Sequence, residues 1–248
     1  MGLLVRLPER AALDRACATW LAYRLRSDAG PVLFAACGGR SVDGILAALS
    51  TCADVPWERV HLFLVDERVV PAGDAQSNLR QLRQVFVAPL VSDGRMRASN
   101  VHAFHFPDCP SIEAQAAAVD ACNSELQALG GRFDAVLLSA GEDGHVAALF
   151  PGHRSIEDRS DGYFRFDDSP KPPASRVTAS RSLLLRSRAA ALVFTGESKR
   201  DALAGFVACG TALAGTPAAA CGLDMRCIPA CLVRALPEWV AFTDLDER

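Results

Sequence analysis

The side chains best suited to proton transfer lie together in Glu142, Asp143, Gly144 and His145. An apolar run at 135–138 precedes them and has the length of a buried strand. Polar groups at the carboxyl end of such a strand lie where open α/β sheets bind ligands. His145 can take up and return a proton near neutral pH, since an ordinary imidazole has a pKa of about 6.5, and Asp143 can fix its tautomer. The spacing alone fits a catalytic turn or an ordinary loop with a surface histidine.

A second group of donors follows another apolar run. Gly38, Gly39, Arg40 and Ser41 open a predicted helix. Glycines let a ligand approach the backbone, and a helix N-terminus offers unpaired N–H groups and a partial positive charge. The pattern predicts a phosphate site, although it is neither a Walker loop nor a dinucleotide fingerprint. A pair of glycines by itself also fits a tight turn.

Lysine is rare in this chain. Of 26 Lys and Arg residues only Lys171 and Lys199 are lysines. Lysine is a compact charge with three rotating donors, which suits a phosphate, whereas arginine presents a planar fork. Lys199 follows a predicted strand, and Lys171 lies in a proline-rich segment. Either lysine could instead be a solvated surface charge.

Three adjacent charges, Asp66, Glu67 and Arg68, end another predicted strand. They indicate either a solvated loop or a lined site. Asn78 could cap its helix or touch a ligand, and capping is the interpretation that we favour.

Strand and helix patterns alternate along the chain. Strands are predicted at 31–36, 60–65, 101–106, 133–138, 189–195 and 239–243, and helices at 11–26, 41–49, 77–90, 111–129 and 197–209. A further helix is predicted to start at 146–150. The polar segment 158–175 is interpreted as a loop or hairpin excursion and a possible mobile flap. The alternation predicts one doubly wound α/β domain over 1–248, with a mostly parallel sheet flanked by helices.

Composition narrows the class of protein. The net charge is -3 with no basic block, so no nucleic-acid partner is expected. No apolar run approaches the roughly 18 residues of a membrane span, and no signal peptide is recognised, so we expect a cytoplasmic protein without a membrane partner.

Metal ligands are not apparent in the sequence. The 9 cysteines are scattered without a CxxC pair, and Cys221, Cys227 and Cys231 have no histidine at ligand spacing. His102 and His105 would fall on opposite faces of a strand. We therefore expect no metal, no cofactor and no disulfide framework.

Four ordered segments resemble the 6-phosphogluconolactonase family. GEDGHVAALFPG is similar to its GxDGHxASLFPG signature, CGGRSVDGIL to SGGRSPxxL, VDERVVPAGDAQSN to DERxVPxxxxxSN, and SPKPPASRVTAS to SPKPPxxRxTxT. A weaker fifth match is FTGESKRDAL. The chain departs from the family pattern without losing an ionisable group, at Cys37, Val42, Ser139, Ala140, Val146 and Ala148.

The resemblance implies a Rossmann-like fold of the sugar-phosphate isomerase/deaminase type. It implies hydrolysis of 6-phosphoglucono-1,5-lactone, a step of the oxidative pentose phosphate pathway, without metal or covalent intermediate. His145 would be the general base, Asp143 its orienting partner, and Arg68 a contact for sugar hydroxyls or the nascent carboxylate. The residues implied for substrate and phosphate are Gly38, Gly39, Arg40, Ser41, Arg176, Lys199 and Lys171. A monomer or small homo-oligomer is expected.

Two alternatives remain open. Glucosamine-6-phosphate deaminases also carry DGH, but they place a Glu shortly after the His, where this chain has Phe150, and a Tyr where it has Arg68. A non-catalytic sugar-phosphate sensor on the same fold would not need His145.

Overall fold

Strands and helices alternate along the computed structural model, which describes residues 2–27, 29–108, 110–212 and 225–247. The strands are β1 Gly2–Arg6, β2 Val32–Ala36, β3 Val60–Leu64, β4 Asp66–Arg68, β5 Val101–His102, β6 Ala135–Ser139, β7 Tyr163–Phe166, β8 Arg176–Ala179, β9 Ala189–Phe194 and β10 Glu238–Thr243. The α-helices are α1 Arg10–Arg24, α2 Asp43–Ser50, α3 Asn78–Leu82, α4 Ala88–Ser92, α5 Ile112–Ala128, α6 Arg154–Glu157, α7 Arg181–Leu185 and α8 Arg200–Ala212. A π-helical stretch, Arg83–Val87, joins α3 to α4.

Seven strands form a parallel sheet in the order β1-β10-β9-β6-β2-β3-β5. Strands covered on both faces need continuous apolar sequence, and every residue of β2 and β9 is buried. Because all seven strands run the same way, the segments after β2, β3, β6 and β9 emerge at one edge. Each of these segments carries one of the polar groups predicted from the sequence.

A second, antiparallel sheet has the order β4-β8-β7. In its register Asp66 lies opposite Thr178 and Arg68 opposite Arg176. Strand β7 lies inside the segment 158–175, so part of the predicted excursion is a paired strand. The hairpin from β7 to β8 returns the chain to the edge of the large sheet where the polar groups lie.

The predicted fold class is confirmed: a mostly parallel sheet flanked by helices. The sequence interpretation missed β1, β4, α6, β8 and α7. Its helix at 146–150 is wrong, because a bridge between Val146 and Leu149 closes a turn there, with Ala147 at φ 52°. The strand predicted at 101–106 ends at His102. The single-domain boundary and the flap stay predictions.

Candidate active site

A polar cavity of about 350 Å³ opens at the carboxyl edge of the large sheet. It is lined by residues that follow β2, β3, β6 and β9, by Asn78 at the start of α3, and by Lys171 from the β7–β8 hairpin. Its lining residues are Cys37, Gly38, Gly39, Ser41, Asp66, Arg68, Asn78, Ser139, Ala140, Gly141, Glu142, His145, Ala147, Lys171 and Lys199. The four polar segments singled out in the sequence therefore meet at one site.

The imidazole of His145 is held by the turn that contains it. Its Nδ1 lies 2.5 Å from Asp143 Oδ1, and the His145 backbone N–H donates to the same oxygen at 3.2 Å. The turn is closed by Gly141 N–H to His145 O at 2.8 Å and Gly144 N–H to Gly141 O at 3.0 Å. Since Asp143 engages Nδ1, Nε2 is the nitrogen left for chemistry.

Gly141 is required by the packing of the His145 ring. A Cβ built at residue 141 would overlap Nδ1 and Cε1 of His145 and come within 2.6 Å of Asp143 Oδ1. The imidazole also packs against Phe150, with ring centroids 4.7 Å apart. The ring therefore contacts both a bare backbone and an apolar side chain.

Asp143 also contacts a lysine. Lys171 Nζ lies 3.2 Å from Asp143 Oδ2, so one carboxylate oxygen faces Lys171 and the other faces His145. Burial by itself would raise the pKa of Asp143, but the hydrogen bond and charge of His145, with Lys171, lower the pKa well below its usual range. Asp143 is thus an anion at neutral pH.

The two lysines converge on the cavity. Lys199 lies in the 3₁₀ turn Glu197–Lys199 that precedes α8, and Lys171 reaches the same cavity from the hairpin. Burial lowers the pKa of Lys199; Glu142 opposes this shift, and the charge of Lys171 adds to it. Two cations that disfavour each other's charge gain from a shared anion. The pair is therefore suited to a phosphate.

Arg68 lies on β4 and also lines the cavity. Its Nη1 donates to Gln76 O at 2.5 Å, and its Nε is buried without a hydrogen-bond partner among the described residues. Asp66 lies two residues earlier, and burial raises the pKa of its carboxyl group although Arg68, Arg176 and His145 oppose the shift. A buried donor without a partner is costly, so this guanidinium can still donate to an anionic or carbonyl oxygen.

The glycine pair lies in a turn before α2, which begins at Asp43, two residues later than predicted. Gly39 N–H donates to Gln81 Oε1 at 2.7 Å, so this amide is occupied. Among the described residues the amides of Gly38, Arg40 and Ser41 donate no hydrogen bond. The turn therefore keeps free donors beside the cavity, although not the one predicted at Gly39.

Asn78 does not cap its helix, contrary to the interpretation favoured from the sequence. Ser77 is the N-cap of α3, and its Oγ accepts from Arg80 N–H at 3.2 Å. Asn78 Nδ2 instead donates to Asp66 O at 2.9 Å, and a Cβ at Gly38 would collide with the Asn78 side chain. Asn78 therefore belongs to the cavity wall.

Two residues predicted to bind phosphate do not line the cavity: Arg40, which is exposed, and Arg176, which is buried at 5% exposure. The Arg176 guanidinium donates to the carbonyl oxygens of Lys171, Pro172 and Pro173 at 3.3, 2.9 and 3.0 Å. Through Nε and Nη2, Arg176 therefore holds the hairpin, and its predicted contact with phosphate stays a prediction.

A family model described as "Glucosamine-6-phosphate isomerases/6-phosphogluconolactonase" matches residues 8–227. The chain belongs to this family. Among curated relatives, the 6-phosphogluconolactonase of Borreliella burgdorferi is 34% identical over 182 residues, which is 73% of this chain and 75% of that protein.

Solved structures of the family share the fold. The 6-phosphogluconolactonase of Thermotoga maritima superposes with a TM-score of 0.74 at 23% identity, covering 98% of this chain and 99% of that one. A monomeric glucosamine-6-phosphate deaminase superposes with a TM-score of 0.73 at 16% identity, covering 97% and 96%. The fold is thus common to both activities named in the family, and the site must separate them.

The departures from the lactonase pattern fall around the cavity. Cys37 replaces a serine in its wall, and burial raises the pKa of its thiol to about 12, so Cys37 is no thiolate near neutral pH. Ser139 and Ala140 also line the cavity, whereas Val146 and Ala148 are buried beside it. None of these changes alters the charged groups of the site.

Histidines and cysteines elsewhere are not assembled as metal ligands. No group of three potential ligands occurs among the described residues. His102 Nε2 lies 2.8 Å from His61 Nδ1, and its Nδ1 lies 2.7 Å from Glu125 Oε2, while His105 is exposed. Cys221, one of the cysteines considered as a ligand, lies outside the described residues.

Sequence reasoning missed Gln81. Its Nε2 donates to Asp43 Oδ1 at 2.5 Å while its Oε1 accepts from Gly39, so it ties the glycine turn to α2. Gln81 lies three residues after Asn78, and this spacing places two helical residues on one face. That spacing was the available signal.

No helix in the described ranges is long and apolar enough to cross a membrane.

Proposed function

We propose that this protein hydrolyses 6-phosphoglucono-1,5-lactone to 6-phosphogluconate, with His145 as general base. The observation that carries the proposal is that His145, whose Nδ1 lies 2.5 Å from Asp143 Oδ1, lines one cavity with Lys171 and Lys199. The curated lactonase relative and the four matching motifs support the same substrate.

The reaction follows from the atoms available. His145 Nε2 accepts a proton from a water molecule, and the water oxygen attacks the lactone carbonyl carbon. The tetrahedral intermediate collapses by breaking the bond to the ring oxygen, which takes the proton back from Nε2. Asp143 stays ionised throughout and stabilises the imidazolium that forms between the two steps.

The developing oxyanion needs donors that are not already paired. The Gly141 and Gly144 amides, which lie close to His145 along the chain, are used inside the turn. Arg68 is the stronger candidate, because its buried Nε has no partner among the described residues and its side chain lines the cavity. A fixed donor in a partly dry cavity costs no reorganisation during the reaction.

The phosphate is assigned to the lysine side of the cavity. Lys199 supplies the charge, and the free amides of Gly38 and Ser41, which line the cavity, supply further donors. Binding the phosphate away from the carbonyl fixes the attack geometry, so that binding energy lowers the barrier.

Phe150 favours lactone hydrolysis over deamination. Deaminases resembling this chain carry a glutamate shortly after the histidine for ring opening, whereas here the Phe150 ring packs on His145. A lactone is already cyclic and activated, and its hydrolysis needs one base and no second ionisable group at this position. The same geometry disfavours a pure sensor, which would gain nothing from an oriented imidazole.

The test is turnover of freshly generated lactone, corrected for spontaneous hydrolysis and followed with a chelator present. We expect rapid hydrolysis without added metal or cofactor. Activity that disappears with chelator and returns with zinc would contradict the metal-free mechanism. Faster release of ammonia from glucosamine 6-phosphate would favour the deaminase, and binding without turnover would favour a sensor. The cytoplasmic location and the oligomeric state remain predictions.

A further inference from the structure

The carboxylate of Asp143 is held at both ends. Its Oδ1 meets His145 Nδ1 at 2.5 Å, and its Oδ2 meets Lys171 Nζ at 3.2 Å. A carboxylate engaged by one partner can rotate about its last bond, whereas one engaged by two is fixed in plane. Lys171 thus touches the residue that orients the proposed base.

The backbone that presents Lys171 is itself fixed. Ser169 Oγ donates to Lys171 O at 2.8 Å, and Ser169 N–H donates to Ala174 O at 3.0 Å, which closes the turn 169–174. The buried Arg176 donates to three successive carbonyl oxygens of the same turn. A planar fork of donors suits this task, and a lysine could not reproduce it.

We propose that Lys171 is a positioning residue for His145, acting through Asp143, and that Arg176 is the anchor that presents it. The inference rests on the proposed function, in which His145 is the general base. Lys171 fixes the plane of the Asp143 carboxylate, so that Asp143 keeps its hold on Nδ1 and Nε2 stays directed at the substrate. The phosphate is then left chiefly to Lys199.

Because Lys171 is charged, its removal should change the pH dependence of activity, which loss of a purely structural contact would not do. Several charged groups lie around His145: Asp143 and Glu142 in its own turn, Asp66 and Arg68 on β4, Lys171 in the turn 169–174, and Lys199 just before α8. Removing the Lys171 cation makes an imidazolium less unfavourable, so the acid limb of the pH–rate profile should move upward. A unit charge roughly 6 Å away in a water-like dielectric shifts a pKa by about half a unit.

The experiment compares Lys171→Gln with Lys199→Gln, the same change at the other lysine of the cavity. We would measure kcat and KM on phosphorylated and unphosphorylated gluconolactone over the acid limb of the pH–rate profile. The titration of His145 would be followed by NMR. Lys171→Gln should lower kcat about 3- to 10-fold on both substrates. This loss is larger than that expected for an exposed ion pair and smaller than that expected for a displaced base. In this variant the acid limb of the pH–rate profile and the NMR titration of His145 should both move upward by about half a pH unit. Lys171→Arg should restore most of kcat.

Lys199→Gln should instead raise KM, and only for the phosphorylated lactone. If Lys171→Gln showed that same pattern with an unmoved His145 titration, Lys171 would be a phosphate ligand and the proposal would be wrong. Arg176→Lys should shift the pH–rate profile as Lys171→Gln does. A wild-type pH–rate profile in Arg176→Lys would show that Arg176 does not act through Lys171. If Arg176→Lys does not fold, the Lys171 variant decides alone. The NMR titration stays informative even if the wild-type protein fails to turn over the lactone, so the two failures are separable.

Discussion

Gly141→Ala should displace the proposed base without straining the backbone. Gly141 does not have a positive φ, so alanine can adopt its conformation. The added methyl would overlap Nδ1 and Cε1 of His145 and lie 2.6 Å from Asp143 Oδ1. Since carbon atoms pack at about 3.5–4.0 Å, the ring must retreat by roughly 1 Å or more.

A displacement of this size defines the expected loss. A misplacement of about 1 Å of a reacting group costs on the order of 100-fold in rate. Phe150, 2% exposed, also packs against the ring and limits its room to retreat without leaving Asp143. We therefore expect kcat for the phosphorylated lactone to fall about 100-fold, with KM changed much less, because the lysines are not touched.

The control is Gly73→Ala, where a Cβ meets nothing within 4 Å and φ is not positive. It should leave kcat and the melting temperature unchanged. The decisive measurement is a double-mutant cycle with His145→Gln. If Gly141 acts through the imidazole, alanine should cost little more once the imidazole is gone. Full, independent losses in the double variant, or near-normal turnover by folded Gly141→Ala, would refute the reasoning.

Three further outcomes are expected. His145→Gln should lower kcat by about 10²- to 10⁴-fold while phosphate-sugar binding survives, and near-normal turnover of the folded variant would remove His145 from the mechanism. Lys199→Gln should cost about 10- to 150-fold in kcat/KM on the phosphorylated lactone and little on the unphosphorylated one, and equal losses would contradict the phosphate assignment. Burial, with the neighbouring His102, lowers the pKa of His61, so the folded protein resists this proton and loses stability as the pH falls below about 6.5. His61→Gln should weaken that acid dependence in urea unfolding, and an unchanged dependence would assign it elsewhere.

Much of the site could be predicted because it lies at strand ends. An apolar run followed by polar residues marks the carboxyl end of a buried parallel strand, and such ends share one edge of the sheet. This rule predicts that Gly38, Arg68, His145 and Lys199 lie close together. The cavity lining agrees with all four.

Other features depend on contacts that no local pattern records. Strand β1 is an edge strand with exposed and half-buried residues, so it lacks the apolar run of a central strand. The run at 146–150 is apolar enough for a helix, yet Ala147 has a positive φ and the segment closes as a turn. Short apolar runs do not distinguish these structures.

The role of Arg176 was beyond the sequence for a related reason. Its motif position suggests a phosphate ligand, whereas in the structure Nε and Nη2 donate to carbonyl oxygens whose directions depend on the fold of the turn. A charged side chain at 5% exposure is costly unless hydrogen bonds are made to it inside the protein. The anchoring bonds therefore depend on burial and turn geometry, which the sequence does not show, and the contact with phosphate stays a prediction.

The two sheets contribute unequally to the proposed chemistry. Asp143 and His145 belong to one turn of the large sheet, so their contact is local and persists as long as that turn does. Lys171 lies 28 positions after Asp143 along the chain, and it reaches Asp143 only because β8 pairs with β4 and with β7. Buried Tyr163 Oη, which donates to Leu64 O at 2.8 Å, ties β7 to the end of β3. Loosening the small sheet would therefore remove Lys171 from Asp143 while leaving the base and its carboxylate in place, which makes the Lys171 contact the more sensitive of the two to changes in the hairpin.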